Sequence, residues 1–139
     1  MNKPIELIIP GKPIAKKRPR FVRRGKFVGT YNDQETEEGR FILEVKSQLS
    51  GYDIITGPVK LTTTFFMPIP KSTSKKKKAQ MLRGEIKHSK KPDFDNLVKF
   101  VCDCLNGIIW KDDSQVYISS VLKMYSENPM TVITILEVG

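Results

Sequence analysis

The sequence predicts a single α+β domain. Short runs of branched and aromatic residues bounded by Pro or Gly are typical of strands, and two longer stretches carry apolar residues at helical spacing. A chain of 139 residues is long enough for one domain with a real core and too short for two, so we assign residues 1–139 to one domain. Hydrophobic residues at 39% and charged residues at 28% exclude a disordered basic tail as a description of the whole chain.

Four segments predict strands, namely residues 5–10, 58–67, 116–124 and 130–138. The first is ended by Gly11 and Pro13, and the second is rich in Thr and Phe and is stopped by Pro68. The last two are joined by a turn at residues 126–129. No internal repeat accompanies them.

The first helix-like stretch follows Asn32 or Asp33, either of which can cap it, and continues to about Leu49. Acidic residues fill its first turn and Gly51 follows its last turn, as expected from the helix dipole and from C-terminal capping. Its apolar stripe predicts that it packs on the rest of the domain. We interpret this helix as scaffold.

Most of the positive charge lies in two blocks, although the chain as a whole carries +9. Residues 12–26 contain eight Lys or Arg and no acid, and residues 71–92 contain nine against Glu85 alone. We predict a basic hairpin or loop at residues 12–31 and a flexible basic loop at 71–92, with a short helix at 79–82. Such blocks indicate a polyanionic partner. The candidate DNA-binding residues are Lys16, Lys17, Arg18, Arg20, Arg23, Arg24, Lys75, Lys76, Lys77, Lys78, Lys90 and Lys91.

Other classes of protein fit the sequence poorly. A membrane surface is the other common polyanion, but no amphipathic anchor, membrane span or signal-peptide core is visible, and we expect a cytoplasmic protein. Cys102 and Cys104 fall on different faces of a helix, so we expect reduced thiols and neither a disulfide nor a zinc site. His88 is the single histidine and is predicted to be a solvated loop residue. We expect no organic cofactor.

The second helix-like stretch runs from Asp95 to Asn106 and stops at Gly107. At about 100° per residue, one side is apolar, as expected of a helix lying on a sheet. The opposite arc of roughly 100° collects Asp95, Asn96, Lys99, Asp103 and Asn106. Asp and Asn are weaker helix formers than Glu, Lys or Gln, so this arc indicates chemistry. The alternative is that Asp95 only caps the helix and that Lys99 only pairs with Asp103.

Carboxylates at this helix predict a divalent metal site. Asp93 and Asp95 are two residues apart at the loop-to-helix junction, so both can point toward one ion. Asp112 and Asp113 begin the next strand and are expected to return a third carboxylate alongside them. Magnesium takes oxygen ligands, polarises a phosphodiester and lowers the pKa of an attacking water. Lys99, one turn after Asp95, would present a cation to the phosphate.

These residues resemble the RusA-type Holliday junction resolvases, small dimeric endonucleases of bacteria and phages. The similarity lies in Lys91–Lys99 (KPDFDNLVK), Asp103–Gly107 (DCLNG) and Trp110–Val116 (WKDDSQV), and it extends to residues 11–13, 17–20 and Lys123. It covers nearly the whole chain, and the paired motifs at this spacing are specific. The resemblance implies a RusA-like homodimer built on a mixed β-sheet with helices packed on it. It also implies cleavage of four-way DNA junctions by paired symmetrical nicks with Mg²⁺ or Mn²⁺.

The resemblance also implies roles for individual residues. Asp93, Asp95 and Asp113 match the metal-binding acids of the family, and Lys99 matches its catalytic lysine. Asp112, Asp103 and Asn96 are expected to support them. The one departure is the lysine-rich segment 71–91, which is longer than in the shortest members of the family.

We therefore predict a magnesium-dependent, structure-selective DNA endonuclease that resolves branched DNA in recombination, repair or phage DNA processing. One alternative is a basic DNA- or RNA-binding protein without catalytic activity, in which the acids only cap and pair. Another is a magnesium-dependent nuclease that acts on flaps or other branched DNA.

Overall fold

The computed structural model describes residues 3–17, 20–24, 27–31 and 34–139, with the backbone alone at 20–24 and 27–31. Its strands are β1 (Ile5–Pro10), β2 (Arg20–Arg24), β3 (Phe27–Tyr31), β4 (Val59–Pro68), β5 (Val116–Ser126) and β6 (Met130–Glu137). Its α-helices are α1 (Glu35–Gln48), α2 (Lys75–Leu82) and α3 (Phe94–Leu105). The prediction of an α+β domain is confirmed.

Four strands form a mixed sheet in the order β1-β6-β4-β5. The pairs β1/β6 and β6/β4 are antiparallel, whereas β4 and β5 run parallel. A parallel pair needs a crossover connection, because the chain must return to the same end of the sheet. Residues 69–115 form this connection, and they include α2, α3 and all the acidic motifs found in the sequence.

The core lies between one face of this sheet and the helices α1 and α3. Alternate residues of β4 are buried, as the period of two in a strand requires. Phe41 of α1 meets Phe100 of α3 edge to face, with ring centroids 5.4 Å apart. Trp110, just after α3, is fully buried. Helix α3 is therefore fixed on the sheet by its apolar side and presents its other side outward.

The four strands of the sheet and the helices α1 and α3 lie where the sequence predicts them, and only their ends differ. The predicted C-terminal strands begin at Val116 and Met130 as expected, and β5 continues two residues further than predicted. Helix α1 begins at Glu35, after Gln34, while the predicted caps Asn32 and Asp33 lie outside the described residues. Helix α3 begins one residue early, with Asp93 at its N-cap. The alternative in which Asp95 only caps this helix is therefore wrong.

Both basic segments contain regular structure. In the first, β2 and β3 pair as an antiparallel hairpin, as one of the two predicted alternatives required. In the second, α2 begins at Lys75, four residues earlier than predicted, because the Ser74 side chain accepts a hydrogen bond from the Lys77 N–H and caps the helix. None of the helices in the described ranges is both long and apolar enough to cross a lipid bilayer.

Candidate functional site

Two exposed carboxylates stand at the beginning of α3. Asp93 occupies the N-cap position with extended backbone, yet its side chain makes no capping hydrogen bond. Asp95 lies in the first turn, and its Oδ1 accepts a hydrogen bond from the Asn96 N–H at 2.9 Å. Phe94 between them is 60% exposed. Because the Asp93 carboxylate is not used for capping, both acids remain available for a ligand, and the helix dipole favours negative charge here.

The loop before Asp93 is held by Lys123 of β5. The Lys123 ammonium donates to the carbonyl of Lys90 at 2.7 Å and to the carbonyl of Pro92 at 2.8 Å. These bonds connect the sheet edge to the turn that carries the acids. Residues from the loop, the helix start and the strand line one concave surface, which consists of Ser89, Lys90, Lys91, Asp93, Phe94, Asp95 and Lys123. Asp93 and Asp95 thus face the same space.

The first basic segment lies against the other side of Asp93. The Lys16 N–H donates to the Asn96 carbonyl at 2.9 Å. The buried Gln34 clamps the same segment, because its Nε2 donates to the Ala15 carbonyl and its Oε1 accepts from the Lys17 N–H. A groove lies between this segment and the start of α3. It is lined by Lys12, Pro13, Ile14, Ala15, Lys16, Lys17, Glu37, Lys91, Pro92, Asp93 and Asn96. Lysines therefore flank Asp93 on both sides.

Lys16 also ties α1 to α3. Its ammonium lies 3.1 Å from Glu38 and 3.2 Å from Asp103. Burial alone would lower the pKa of Lys16, but hydrogen bonds and attraction from these two carboxylates outweigh burial and raise it. Asp103 is thus engaged by Lys16, and the alternative that Asp103 pairs with Lys99 is not what the structure shows. The expected roles of Lys16 in DNA contact and of Asp103 in support stay predictions.

A single 3₁₀ turn, Asp113–Gln115, precedes β5, and Asp112 occupies its N-cap position. This segment was expected to be the start of the strand. The Asp112 carboxylate caps the turn by accepting from the Ser114 N–H at 3.0 Å, and its hydrogen bonds with Ser114 lower its pKa. The Gln115 side chain makes four hydrogen bonds: it accepts from the Lys111 and Asp112 N–H groups and donates to the Ile55 and Gly57 carbonyls. Asp112 serves this turn, and Asp113 is left with a half-exposed carboxylate.

Asp113 contacts the opposite end of α3. Its Oδ2 accepts from the Asn106 amide at 3.4 Å, and the Asn106 Oδ1 accepts from the indole N–H of Trp110 at 2.6 Å. Asp95 and Asn106 are separated by about 16 Å along the helix axis. The structure therefore does not bring Asp113 alongside Asp93 and Asp95 as the sequence predicts.

A hard cation such as Mg²⁺ needs oxygen ligands that converge on one point. Within residues 3–17 and 34–139, no group of three or more His, Cys, Asp or Glu side chains is close enough to hold an ion. Magnesium, however, is commonly bound by one or two carboxylates together with water and substrate phosphates. Asp93 and Asp95, exposed and on one concave surface, fit that pattern. A shared ion that also takes Asp113 stays a prediction.

Lys99 lies on the exposed side of α3, one turn after Asp95. Among the described residues, no carboxylate comes within the 4.0 Å of its ammonium that defines an ion pair. The exposed lysines of α2 (Lys75, Lys76, Lys77 and Lys78) extend the basic surface, and Lys78 pairs with Glu127 at 3.0 Å. Arg18 and the side chains of Arg20, Arg23 and Arg24 lie outside the described residues.

Neither the thiols nor the histidine line the two grooves beside Asp93. Cys102 and Cys104 are free and buried, and burial raises the pKa of each to about 12, so both stay protonated, as expected. His88 lies in a loop as expected, but it is only partly solvated. It is half-buried with its ring 4.8 Å from that of Tyr125, and burial and the charge of Lys123 lower its pKa.

Sequence reasoning assigned no role to four residues that arrange the site, namely Gln34, Asn106 as a partner of Asp113, Gln115 and Lys123. Gln115 had a detectable signal, since Asp112 followed three residues later by Gln is a capping-box pattern. Lys123 was part of the family resemblance, but its role and that of Gln34 had no signal, because their partners are backbone carbonyls and N–H groups distant in the chain.

The fold and the site define a small basic α+β protein that exposes a pair of carboxylates between lysine-lined grooves. Residues 10–136 match the model of the family described as endodeoxyribonuclease RusA. The chain belongs to this family, which makes it a nuclease of the Holliday junction resolvase class. It is also similar to the uncharacterized protein YqaN of Bacillus subtilis (strain 168), with 41% identity over 138 residues and 97% of each chain covered.

Proposed function

We propose that the protein is a magnesium-dependent endonuclease that resolves four-way DNA junctions by one nick per subunit of a homodimer. The observation that carries this proposal is the pair Asp93 and Asp95, which share one concave surface with the lysines of the adjoining loop. Carboxylates exposed inside a basic surface would repel a phosphodiester unless a cation lay between them. The same reasoning extends to Mn²⁺, which takes similar oxygen ligands.

The basic grooves on either side of Asp93 support binding to the DNA backbone. Lys12, Lys17 and Lys91 line one groove, and Lys90 and Lys91 line the other. Such contacts recognise phosphates and shape more than base edges, and they weaken steeply as salt rises. Binding to branched DNA through its shape therefore agrees with the arrangement of these lysines.

In the proposed reaction, Asp93 and Asp95 would hold the ion. When bound there, magnesium supplies polarisation of the phosphodiester and a more acidic water. Lys99, exposed on the same helix, would offer its ammonium to the negative charge that develops on the phosphate oxygens. Lys123 keeps the carbonyls of Lys90 and Pro92 in place, and so fixes the turn from which the Asp93 carboxylate projects.

A homodimer is supported by the outer face of the sheet, which no helix covers in the described part of the chain. One cross-strand row on this face consists of Ile8, Val132, Thr64 and Leu122. Ile8 is 47% and Leu122 is 52% exposed, and Ile118 and Met124 are exposed on the same face. The exposed apolar side chains on this face, which lie among polar ones such as Glu6 and Lys60, suit a second copy better than a polyanion in a protein of charge +9. Twofold symmetry would then supply two active sites for two nicks.

The test is incubation of the protein with a synthetic junction that has a mobile core, in Mg²⁺, followed by mapping of cuts on all four strands. We expect symmetrical cuts on two opposing strands. Asp95→Asn should reduce cleavage by at least about 100-fold, since loss of a charged group that stabilises the transition state has effects of this size. Junction binding in EDTA should change little.

Asp53→Asn is the matched control, because Asp53 is an exposed acid remote from α3 in sequence and its change is chemically identical. It should cleave as the wild type does. Wild-type protein that binds the junction but cuts nothing in Mg²⁺ or Mn²⁺ would show that the protein is a non-catalytic binder. Stronger binding of single-stranded RNA, or faster cutting of flaps than of junctions, would assign the corresponding alternative substrate.

A further inference from the structure

A short chain of hydrogen bonds leads from the core to the Asp113 carboxylate. The indole N–H of Trp110 donates to Asn106 Oδ1 at 2.6 Å, and Asn106 Nδ2 donates to Asp113 Oδ2 at 3.4 Å. Trp110 has no exposed surface, whereas Asp113 is half-exposed. The amide of Asn106 thus links a fully buried group to one that faces outward.

The orientation of this amide is determined by its partners. An indole N–H can only donate, so the oxygen of the Asn106 amide must face Trp110 and its NH₂ group must face away. A flipped amide would place its NH₂ group against the indole N–H and its oxygen against the Asp113 carboxylate. Both contacts would then be repulsive. Trp110 therefore locks Asn106 with a donor directed at Asp113.

Both ends of this series of hydrogen bonds, Trp110 and Asp113, lie on segments that further hydrogen bonds hold in place. The Gly107 N–H donates to the Trp110 carbonyl at 2.7 Å, and the Ile55 N–H donates to the Ile109 carbonyl at 2.7 Å. The turn that carries Asp113 is held by the four hydrogen bonds of Gln115. Asn106 contacts only Oδ2 of Asp113, and within the described residues Oδ1 has no partner. One carboxylate oxygen is oriented while the other stays available.

We propose that Asn106, locked by Trp110, is a positioning residue that orients the Asp113 carboxylate for DNA cleavage. This proposal rests on the proposed nuclease function and on the part in cleavage that the family resemblance gives Asp113, and it deepens that function. It assigns the Asn-Gly-x-x-Trp segment after α3 to the active site and not only to the helix end. It also gives the buried Trp110 a role beyond packing, because the Trp110 N–H orients the Asn106 side chain that contacts Asp113.

The test is a double-mutant cycle with Asn106→Ala, Asp113→Asn and their combination, measured as kcat on a four-way junction in Mg²⁺. We expect Asn106→Ala to lower kcat by roughly 10-fold with junction affinity in EDTA unchanged, the size seen when a residue supporting an active-site ligand is removed. The double variant should cleave no more slowly than Asp113→Asn alone. Trp110→Phe, which keeps an aromatic ring but lacks the donor, should share the loss of kcat.

Gly51→Ala is the matched control for a merely structural role, because Gly51 follows α1 and lines neither groove beside Asp93. Gly51 adopts a φ of +68°, which strains any residue with a Cβ, but no atom lies within 4 Å of that added Cβ. This variant should melt earlier and yet cleave at the wild-type rate below its melting temperature. A second readout needs no activity. The chain has a single Trp, so its indole N–H gives one NMR signal, and that proton should exchange with solvent faster in Asn106→Ala.

The proposal is overturned if the losses of Asn106→Ala and Asp113→Asn multiply in the double variant. It is also overturned if Asn106→Ala cleaves as well as Gly51→Ala. Those outcomes differ from failure of the proposed function, in which the wild type itself cuts no junction and the positioning role falls with it. An unchanged rate of exchange of the indole proton in Asn106→Ala would show that Trp110 does not hold the Asn106 amide, and would equally refute the proposal.

Discussion

Removal of the Gln115 side-chain amide tests whether this group holds the turn that carries Asp113. Gln115→Ala breaks four hydrogen bonds, each between 2.8 and 3.0 Å, that connect residues 111–112 to residues 55–57. Each is worth about 1 kcal/mol, and partial rehydration of the freed groups reduces the sum to about 3 kcal/mol. With an unfolding entropy of about 0.3 kcal/mol per kelvin for a chain of this size, Tm should fall by about 10 °C.

Thermal unfolding followed by circular dichroism measures this loss without any metal or DNA. Gln115→Glu keeps the acceptor for two N–H groups but loses the donors to two carbonyls, so its Tm should lie at or below the midpoint between wild type and Gln115→Ala. Lys111→Gln alters an exposed neighbour and should change Tm by less than about 2 °C. A loss of under about 2 °C for Gln115→Ala would refute the view that this amide holds the turn.

Three further outcomes concern the buried thiols and the outer face of the sheet. Because burial raises the pKa of Cys102 and Cys104 from 9.0 to about 12, neither should react with DTNB at pH 8 until the protein is unfolded. The thiols of the unfolded chain lose their protons at lower pH than those of the folded protein, so the contribution of the buried thiols to stability is complete below pH 9 and declines as the pH rises toward 12. Denaturation of the wild type and of Cys104→Ala across this pH range measures that decline. Leu122→Glu should convert a wild-type dimer into a monomer in sedimentation velocity, and a wild type that sediments as a monomer at micromolar concentration would disprove the proposed dimer.

The sequence predicted the fold well where periodicity decides structure. The strands and α3 were located within one or two residues, because alternation along β4 and the apolar stripe of α3 both reflect burial on one face. Ends were less accurate where local capping decides. Asp93, not Asp95, occupies the N-cap of α3, and Ser74 starts α2 earlier than its apolar residues suggested.

The site was predicted in part. Asp93 and Asp95 share one surface as expected, since their spacing at a helix start determines it. The position of Asp113 depends on Asn106 and on Gln115, whose partners Ile55 and Gly57 are about sixty residues away in sequence. No local pattern encodes such a contact. Lys16 likewise looked like surface charge, but the fold places it between two carboxylates.

The parallel pairing of β4 and β5 has a consequence for how this protein can vary. Helix α2, the lysine-rich segment and the acidic turn all belong to one excursion of the chain, residues 69–115, that leaves the sheet and returns to it. Insertions or deletions between Pro70 and Lys90 can therefore lengthen or shorten the basic surface while the pairing of the four strands stays the same. The extent of the basic surface is thus set by one loop that can vary independently of the sheet, while Lys123 anchors its final residues to β5.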